Sequence, residues 1–286
     1  MSTAPLKLGA VRPLLLETTN ENMFEAKLND GTVLKRIVDA IKDLVQDVNL
    51  DISSTGISLQ AMDSSHVALV QMKLDSSGFS TYRIDKNVTI GLSIQNLSKV
   101  MRLVNANDSI TLRCGEGDDN GPTSIQIICE SNKAEGRTTE FSLNLLSLDS
   151  ESLGIPETSY QSEITMNSTE FSKLCKELYA LSETVSFEIT QSYVKFAVDG
   201  EVGQGSIKIN TGGDNAAGAA DSSMQQAVTL SFALRYLNLF NKAYNLSNEV
   251  KISMSENTPL CVEYSFTDQA GALKFYLAPK ISEECQ

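Results

Sequence analysis

The chain has no tryptophan and a single histidine, His66, among its 286 residues. One histidine cannot supply the pair that an H-E-x-x-H zinc helix needs, and neither a phosphate-cradling G-x-x-x-x-G-K-[ST] loop nor a G-x-S-x-G nucleophile elbow occurs. Aspartate and glutamate are plentiful but form no metal-binding signature. The sequence therefore calls for no metal and no cofactor, and it reads as a protein that is not an enzyme. Without an accompanying nucleophile or metal cluster, His66 is expected to be structural or to touch a partner. No apolar run approaches the roughly 20 residues of a membrane span, so no membrane partner is expected. The stretch from Met1 to Asn22 is too short and too interrupted in its apolar part for a signal peptide. Cys114, Cys129, Cys175, Cys261 and Cys285 are odd in number, widely spaced and free of C-x-x-C pairs. That excludes a disulfide framework and a zinc site, and it points to reduced thiols in a soluble intracellular protein.

Positive charge is also scarce, with 23 Lys and Arg against 36 Asp and Glu. What there is gathers on four stretches with helical periodicity: Gly31 to Leu44, Ile94 to Leu103, Ser168 to Ala180 and Ser231 to Lys242. They hold nine bases (Lys35, Arg36, Lys42, Lys99, Arg102, Lys173, Lys176, Arg235 and Lys242) against four acids (Asp39, Asp43, Glu170 and Glu177). Their net charge is +5, which leaves −18 for the rest of a chain whose total is −13. Apolar residues at Leu34, Ile37, Ile41 and Leu44, and at Phe171, Leu174, Cys175 and Leu178, mark one face of the first and third helices for packing on a sheet. The bases fall three or seven apart, so each exposed face is basic. A basic surface on an acidic protein fits a polyanion, a phosphate backbone above all. With no zinc finger, no aromatic RNA-binding pattern and no tryptophan to read bases, binding is expected to be sequence-independent and to weaken steeply with salt.

The chain also repeats itself. Pairing Leu34 with Phe171 brings Ile52 onto Ile189 and Leu59 onto Phe196, all 137 residues apart; further on, Ile94 falls on Leu234, Leu97 on Leu237, Val100 on Phe240 and Ile110 on Val250, all 140 apart. Alternating, β-branched strand signals fill the intervals. The expected fold is α+β: two similar domains, each with two helices covering one face of its sheet. The divisions read as 1–22, an appended tail; 23–146, the first domain; 147–163, a polar linker with Pro156; 164–281, the second domain; and 282–286, a short tail. Thr211 to Gln226, rich in Gly, Ala and Ser, reads as a flexible loop.

Five blocks then carry a resemblance: MFEAKL from Met23, DISSTGISLQAMDSSHVALVQ from Asp51, LGIPE from Leu153, TLSFALRYLNLF from Thr229 and FYLAPK from Phe275. In order and spacing the chain resembles the proliferating cell nuclear antigen family, the eukaryotic sliding clamps, from Met23 to about Ile281. The resemblance implies the DNA clamp fold in a pseudo-sixfold homotrimeric ring. It implies a nuclear replication and repair role: the ring encircles double-stranded DNA and serves as a polymerase processivity factor. The basic helices would then line the hole. Subunits would join through edge strands, Thr138 to Leu146 (Thr138, Phe141, Leu143, Leu145) against Glu201 to Asn210 (Gly203, Gly205, Ile207, Ile209). DNA polymerases, the clamp loader, flap endonuclease and DNA ligase would dock a short PIP-box motif in a pocket at Met62, His66, Leu69, Leu153, Ile155, Ala233, Pro259, Tyr276, Ala278 and Pro279. The alternatives are a subunit of the related heterotrimeric checkpoint clamp, or an interaction scaffold that never encircles DNA. One departure stands out: where many members carry a ubiquitin-accepting lysine, this chain reads Thr190, Gln191, Ser192, with Lys195 nearby.

Overall fold

The structure, a computed structural model, describes residues 22–117, 121–131, 136–149, 159–211, 221–224, 228–266 and 270–280. The first half runs β1 (Asn22–Leu28), α1 (Thr32–Ile41), β2 (Asp47–Ser53), β3 (Gly56–Met62), β4 (Ala68–Asp75), β5 (Thr81–Ile84), β6 (Val88–Ser93), α2 (Ile94–Met101), β7 (Ser109–Gly115), β8 (Ser124–Glu130) and β9 (Thr138–Asn144). The second half repeats that order: β10 (Ser162–Asn167), α3 (Ser168–Tyr179), β11 (Thr184–Ile189), β12 (Tyr193–Gly200), β13 (Gly203–Asn210), β14 (Asp221–Met224), β15 (Val228–Ala233), α4 (Leu234–Phe240), β16 (Glu249–Met254), β17 (Leu260–Ser265) and β18 (Gly271–Leu277). The class is α+β, and the repeat read from sequence is a repeat of folded elements.

The positions paired at 137 and 140 residues are buried in both halves, apart from a half-buried Val100. They fill the same places with different chemistry. Leu34 becomes Phe171, Leu59 becomes Phe196 and Val100 becomes Phe240, so the second core is aromatic where the first is aliphatic. Its rings touch edge to face, as Phe187 does with Phe196 at 4.7 Å, or stack, as Phe240 does on Phe275 at 4.6 Å.

One expectation is corrected by the strand pairing. The halves do not each own a sheet. Three antiparallel sheets form among the described residues: five strands in the order β5-β1-β7-β8-β9, four in the order β13-β12-β11-β15, and nine in the order β14-β10-β16-β17-β18-β4-β3-β2-β6. The nine-stranded sheet spans both halves, because β4 and β18 pair along seven residues from Ala68↔Leu277 to Leu74↔Gly271. An open edge strand leaves a row of unpaired N–H and C=O groups, and this pairing satisfies two such edges at once. Gly271 lies in the left-handed half of φ space, at 134°, and a β-carbon there would sit 1.9 Å from the Lys73 carbonyl oxygen. Only glycine lets the strands meet at that point.

Other corrections are smaller. Ser231 to Ala233 belong to β15, where Val228 and Phe232 point to the core; the helical reading of that stretch began too early, and α4 continues past Phe240 as a 3-10 turn, Asn241–Leu246. The other helices end one to three residues short of their expected limits. Ser162 and Glu163, assigned to the linker, open β10, and Asp221–Met224, assigned to a loop, pair with β10 as β14.

Candidate functional site

The four helices lie in one row: α2 against α1, α1 against α4 and its 3-10 extension, and these against α3. Side chains accept from N–H groups at three of the starts, as caps at α2 and α3 and from the residue ahead of the Gly31 cap at α1. The Asp30 carboxylate accepts from the Thr32 N–H at 2.9 Å, Ser93 accepts from Asn96, and Asn167 accepts from Thr169 and Glu170. The apolar faces are buried against the sheets, with Ile37 and Ile41 each 1% exposed. The opposite side of the row carries the nine bases. Arg36, Lys99, Arg102, Lys173, Lys176, Arg235 and Lys242 are exposed, while Lys35 and Lys42 are half-buried.

These bases fall into two groups. Three hold carboxylates from the same row: Lys42 on Asp39 at 2.6 Å, Lys173 on Glu177 at 3.8 Å, and Lys242 on Asp43. Five others rest on neutral groups. Lys35 donates to the Val104 carbonyl at 2.8 Å, Arg36 to the Asn245 carbonyl at 3.2 Å, and Lys99 to the Asn96 side chain at 3.1 Å; Lys176 lies 5.9 Å above the Tyr244 ring and Arg235 4.7 Å above that of Tyr236. The Lys242–Asp43 and Arg36–Asn245 contacts also cross the seam between the halves.

On the other side of the nine-stranded sheet, the β3-β4-β18 ladder sets Met62 opposite Leu69 and Leu69 opposite Tyr276. The three are half-buried, one residue out of phase with the core-facing Ala68, Val70 and Phe275, so they form an apolar row across the outer face. Burial pushes the Tyr276 hydroxyl pKa up, and that hydroxyl meets Gln71 at 3.1 Å. Around the row lie the exposed His66 and Ala278 and the half-buried Ala233 and Pro279. The Ala278 N–H donates to the Val67 carbonyl at 3.1 Å, and the Lys280 N–H to the Ser231 carbonyl at 2.8 Å. The terminal segment thereby ties the β3–β4 loop to β15. Pro259 is exposed at the start of β17. Leu153 and Ile155 lie outside the described residues.

A residue the sequence reading passed over organises this loop. Asp63 is 6% exposed. One of its oxygens accepts from the backbone N–H groups of Val67 and Ala68, at 2.8 and 2.7 Å; the other accepts from the Ser65 N–H at 3.1 Å, the Ser65 hydroxyl at 2.6 Å and the Tyr236 hydroxyl at 3.0 Å. Burial works to raise its pKa, but the Ser65 hydroxyl and the three N–H groups outweigh it and hold the carboxyl at about 2. The loop so gripped carries His66 at φ 58°, a left-handed conformation that is uncommon for a residue with a side chain. The Asp-Ser-Ser order in the sequence is the signal of such a side-chain-to-backbone turn; the contact with Tyr236, 173 residues on, leaves no local trace.

Among the edge strands of the described residues are β9, which ends the five-stranded sheet, and β13, which ends the four-stranded one. Along β9, Phe141, Leu143 and Leu145 (the last just past the strand) are half-buried, and along β13 so are Gly205, Ile207 and Ile209; Thr138 and Gly203 are exposed. The strand read as continuing to Leu146 ends at Asn144, and Leu146 bridges to Gly91, where a β-carbon would lie 2.3 Å from the Leu146 carbonyl oxygen. Gln191 and Ser192 form the exposed turn before β12, and Lys195 faces Glu188 at 3.8 Å.

Comparison with known proteins accounts for the two halves. Residues 23–152 match the family model described as proliferating cell nuclear antigen, N-terminal domain, and residues 154–280 match that for the C-terminal domain. The chain belongs to the proliferating cell nuclear antigen family. It is also similar to a protein named proliferating cell nuclear antigen from Chaetomium thermophilum, 43% identical over 264 residues that cover 92% of this chain and all of the relative. Proliferating cell nuclear antigens are sliding clamps of DNA replication and repair, and a trimeric ring of clamp-fold domains is typical of them. The family is one of non-enzymatic scaffolds. Burial raises the thiols of Cys114 and Cys261 to about 11 and that of Cys175 to about 12, far from a reactive thiolate.

Proposed function

We propose that three copies of this chain close into a ring around duplex DNA in the nucleus, tethering DNA polymerases and docking replication and repair enzymes on its outer face. The observation that carries this reading is the joint between β4 and β18. Each half contains a four-strand run (β6-β2-β3-β4, or β15-β11-β12-β13) and a strand that ends its five-strand run (β9, or β18). Inside the chain, the edge of the first half's run meets the edge of the second half's. The pieces left over, β13 and β9, are the repeat equivalents of β4 and β18.

Following the repeat through the hairpins places Ile207 on Met72, Gly205 on Val70 and Gly203 on Ala68; on the other strand Thr139 falls on Leu273, Phe141 on Phe275 and Leu143 on Leu277. Carried over by the repeat, the in-chain register supplies the pairing proposed for the joint between subunits. Ile207 lies opposite Thr139 of the partner subunit, Gly205 opposite Phe141 of the partner subunit, and Gly203 opposite Leu143 of the partner subunit. Such a head-to-tail contact generates a ring when its rotation closes. The five- and four-stranded sheets would merge into a nine-stranded sheet like the one already present.

In that ring the helix row faces inward. Its charge attracts the DNA backbone while the acidic remainder repels it, and contacts that are screened and non-directional leave no preferred register to trap the ring. The row of Met62, Leu69 and Tyr276, with His66, Ala233, Pro259, Ala278 and Pro279 around it, takes the hydrophobic anchors of PIP-box partners: polymerases, the clamp loader, flap endonuclease and DNA ligase. No catalytic step is assigned to this chain. Light scattering of the purified chain tests the assembly, with a trimer mass expected; a lone monomer at micromolar concentration would falsify it. Replacing Lys35, Lys99 and Lys173 by Ala is expected to abolish polymerase stimulation and leave peptide docking intact.

A further inference from the structure

Two candidate surfaces assigned to separate tasks, the basic helix row and the partner groove, are joined by an unbroken line of contacts. Arg235 is exposed at the start of α4, with its guanidinium 4.7 Å from the centre of the Tyr236 ring and its Nη2 donating to the Tyr236 hydroxyl at 3.3 Å. That hydroxyl donates to Asp63 at 3.0 Å and lies 2.9 Å from the Ser65 hydroxyl. Asp63 fixes the N–H groups of Ser65, Val67 and Ala68, and Val67 in turn accepts from the N–H of Ala278. From a cation on the helix row to both walls of the groove there are four links.

We propose that Tyr236 and Arg235 are positioning residues of the partner groove, and that through them DNA in the channel lowers the groove's affinity. This rests on the reading of the helix row as DNA-facing. A guanidinium that donates to a phenol oxygen polarises its O–H and strengthens the bond that O–H makes onward. A phosphate that draws Arg235 off the ring removes that polarisation, so Tyr236 holds Asp63 less firmly. The loop has a conformation to lose, because His66 sits at a positive φ that stands only while its surroundings over-determine it. Groove and channel are then coupled, and by linkage a docked partner weakens the ring's hold on DNA by the same factor. The relay acts within one subunit and needs no movement of the joints.

The test uses the full chain as its assembled ring, free and threaded on linear duplex with blocked ends at constant salt. A fluorescein-labelled PIP-box peptide too short to reach DNA reports the groove. In the wild type, threading is expected to weaken peptide binding about threefold, a coupling of ordinary size. Arg235→Met is expected to bind the peptide in the free ring as weakly as the threaded wild type does, and to lose the dependence on DNA. Tyr236→Phe, which removes only the bridging hydroxyl, is expected to lose it too. A residue with a merely structural role would shift both affinities together and keep their ratio. Equal affinities for the free and threaded wild type overturn the relay, as does an unchanged ratio in either variant. A wild-type ring that binds no peptide, or that is not retained on blocked DNA, overturns instead the docking or encirclement reading on which the relay stands.

Discussion

The joint at β4·β18 and the free edges at β9 and β13 are built from equivalent strands and differ in two respects. The first is connectivity: the β4·β18 ladder is closed inside one chain, so its strands meet at any protein concentration, whereas β9 and β13 can be paired only by another copy. The second is the outer surface. Across the in-chain joint runs Met62–Leu69–Tyr276; the repeat equivalents are Asp199 and Gln204, which pair across β12 and β13, with Ser142 on β9. The same backbone geometry is apolar at one seam and polar at the other. On the proposed assembly, the comparison separates holding a ring together from serving as its docking site, and it gives a reason why one seam of each subunit, and not both, would accept hydrophobic motifs.

The comparison can be broken at the in-chain joint first. Gly271→Val drives side-chain atoms into the Lys73 carbonyl and is expected to cost more than about 3 kcal/mol, read as a large fall in melting temperature. At the subunit edge, Phe141→Asp places a charge in the proposed interface; the trimer's dissociation constant should rise at least about 100-fold, or roughly 3 kcal/mol, with little change in monomer melting. An equal fall in monomer melting would mean that Phe141 serves its own half and not a neighbour.

Asp63→Asn should remove about 2 kcal/mol of stability at neutral pH, the free-energy equivalent of a carboxyl held at about 2 rather than 3.8. Because the folded pKa is depressed, that stabilisation is present above about pH 4 and is lost as pH falls toward 2. The stability gap between wild type and variant should close over that window, and a gap constant with pH would contradict the grip assigned to the loop. The smallest change expected is at the groove, where Leu69→Ala should weaken PIP-box peptide binding about tenfold in calorimetry without altering the trimer mass.

How much of this was legible beforehand follows from the range of each interaction. The helices and hairpins announced themselves because their signals are local, and the 137- and 140-residue pairings held because Leu34 and Phe171, or Ile110 and Val250, occupy the same buried places. The nine-stranded sheet was hidden: β4 and β18 lie some 200 residues apart, and nothing in either strand's pattern says which edge it will meet. The fourth helix was started too early because Phe232 keeps a helical spacing to Tyr236, four residues on, as well as an alternating one to Leu234. Among the candidate residues, the nine bases could be read off and their pairing could not. Lys42 and Asp39 are helix neighbours, but Lys242 meets Asp43 only because the halves pack together. Asp63 looked like one more surface acid until Tyr236 was seen beside it.

The carboxylates within the helix row bear on friction. Lys42, Lys173 and Lys242 are already occupied by anions of the protein's own. In the proposed ring, a DNA phosphate approaching one of them would swap for a resident carboxylate instead of displacing only water, and an exposed pair of this kind is worth no more than about 1 kcal/mol. Such swaps flatten the free-energy ripple that each passing phosphate would otherwise impose. The acids that look like blemishes on a basic surface would then serve as its lubricant, setting the ring's diffusion coefficient along the duplex while leaving its time on the duplex to topology.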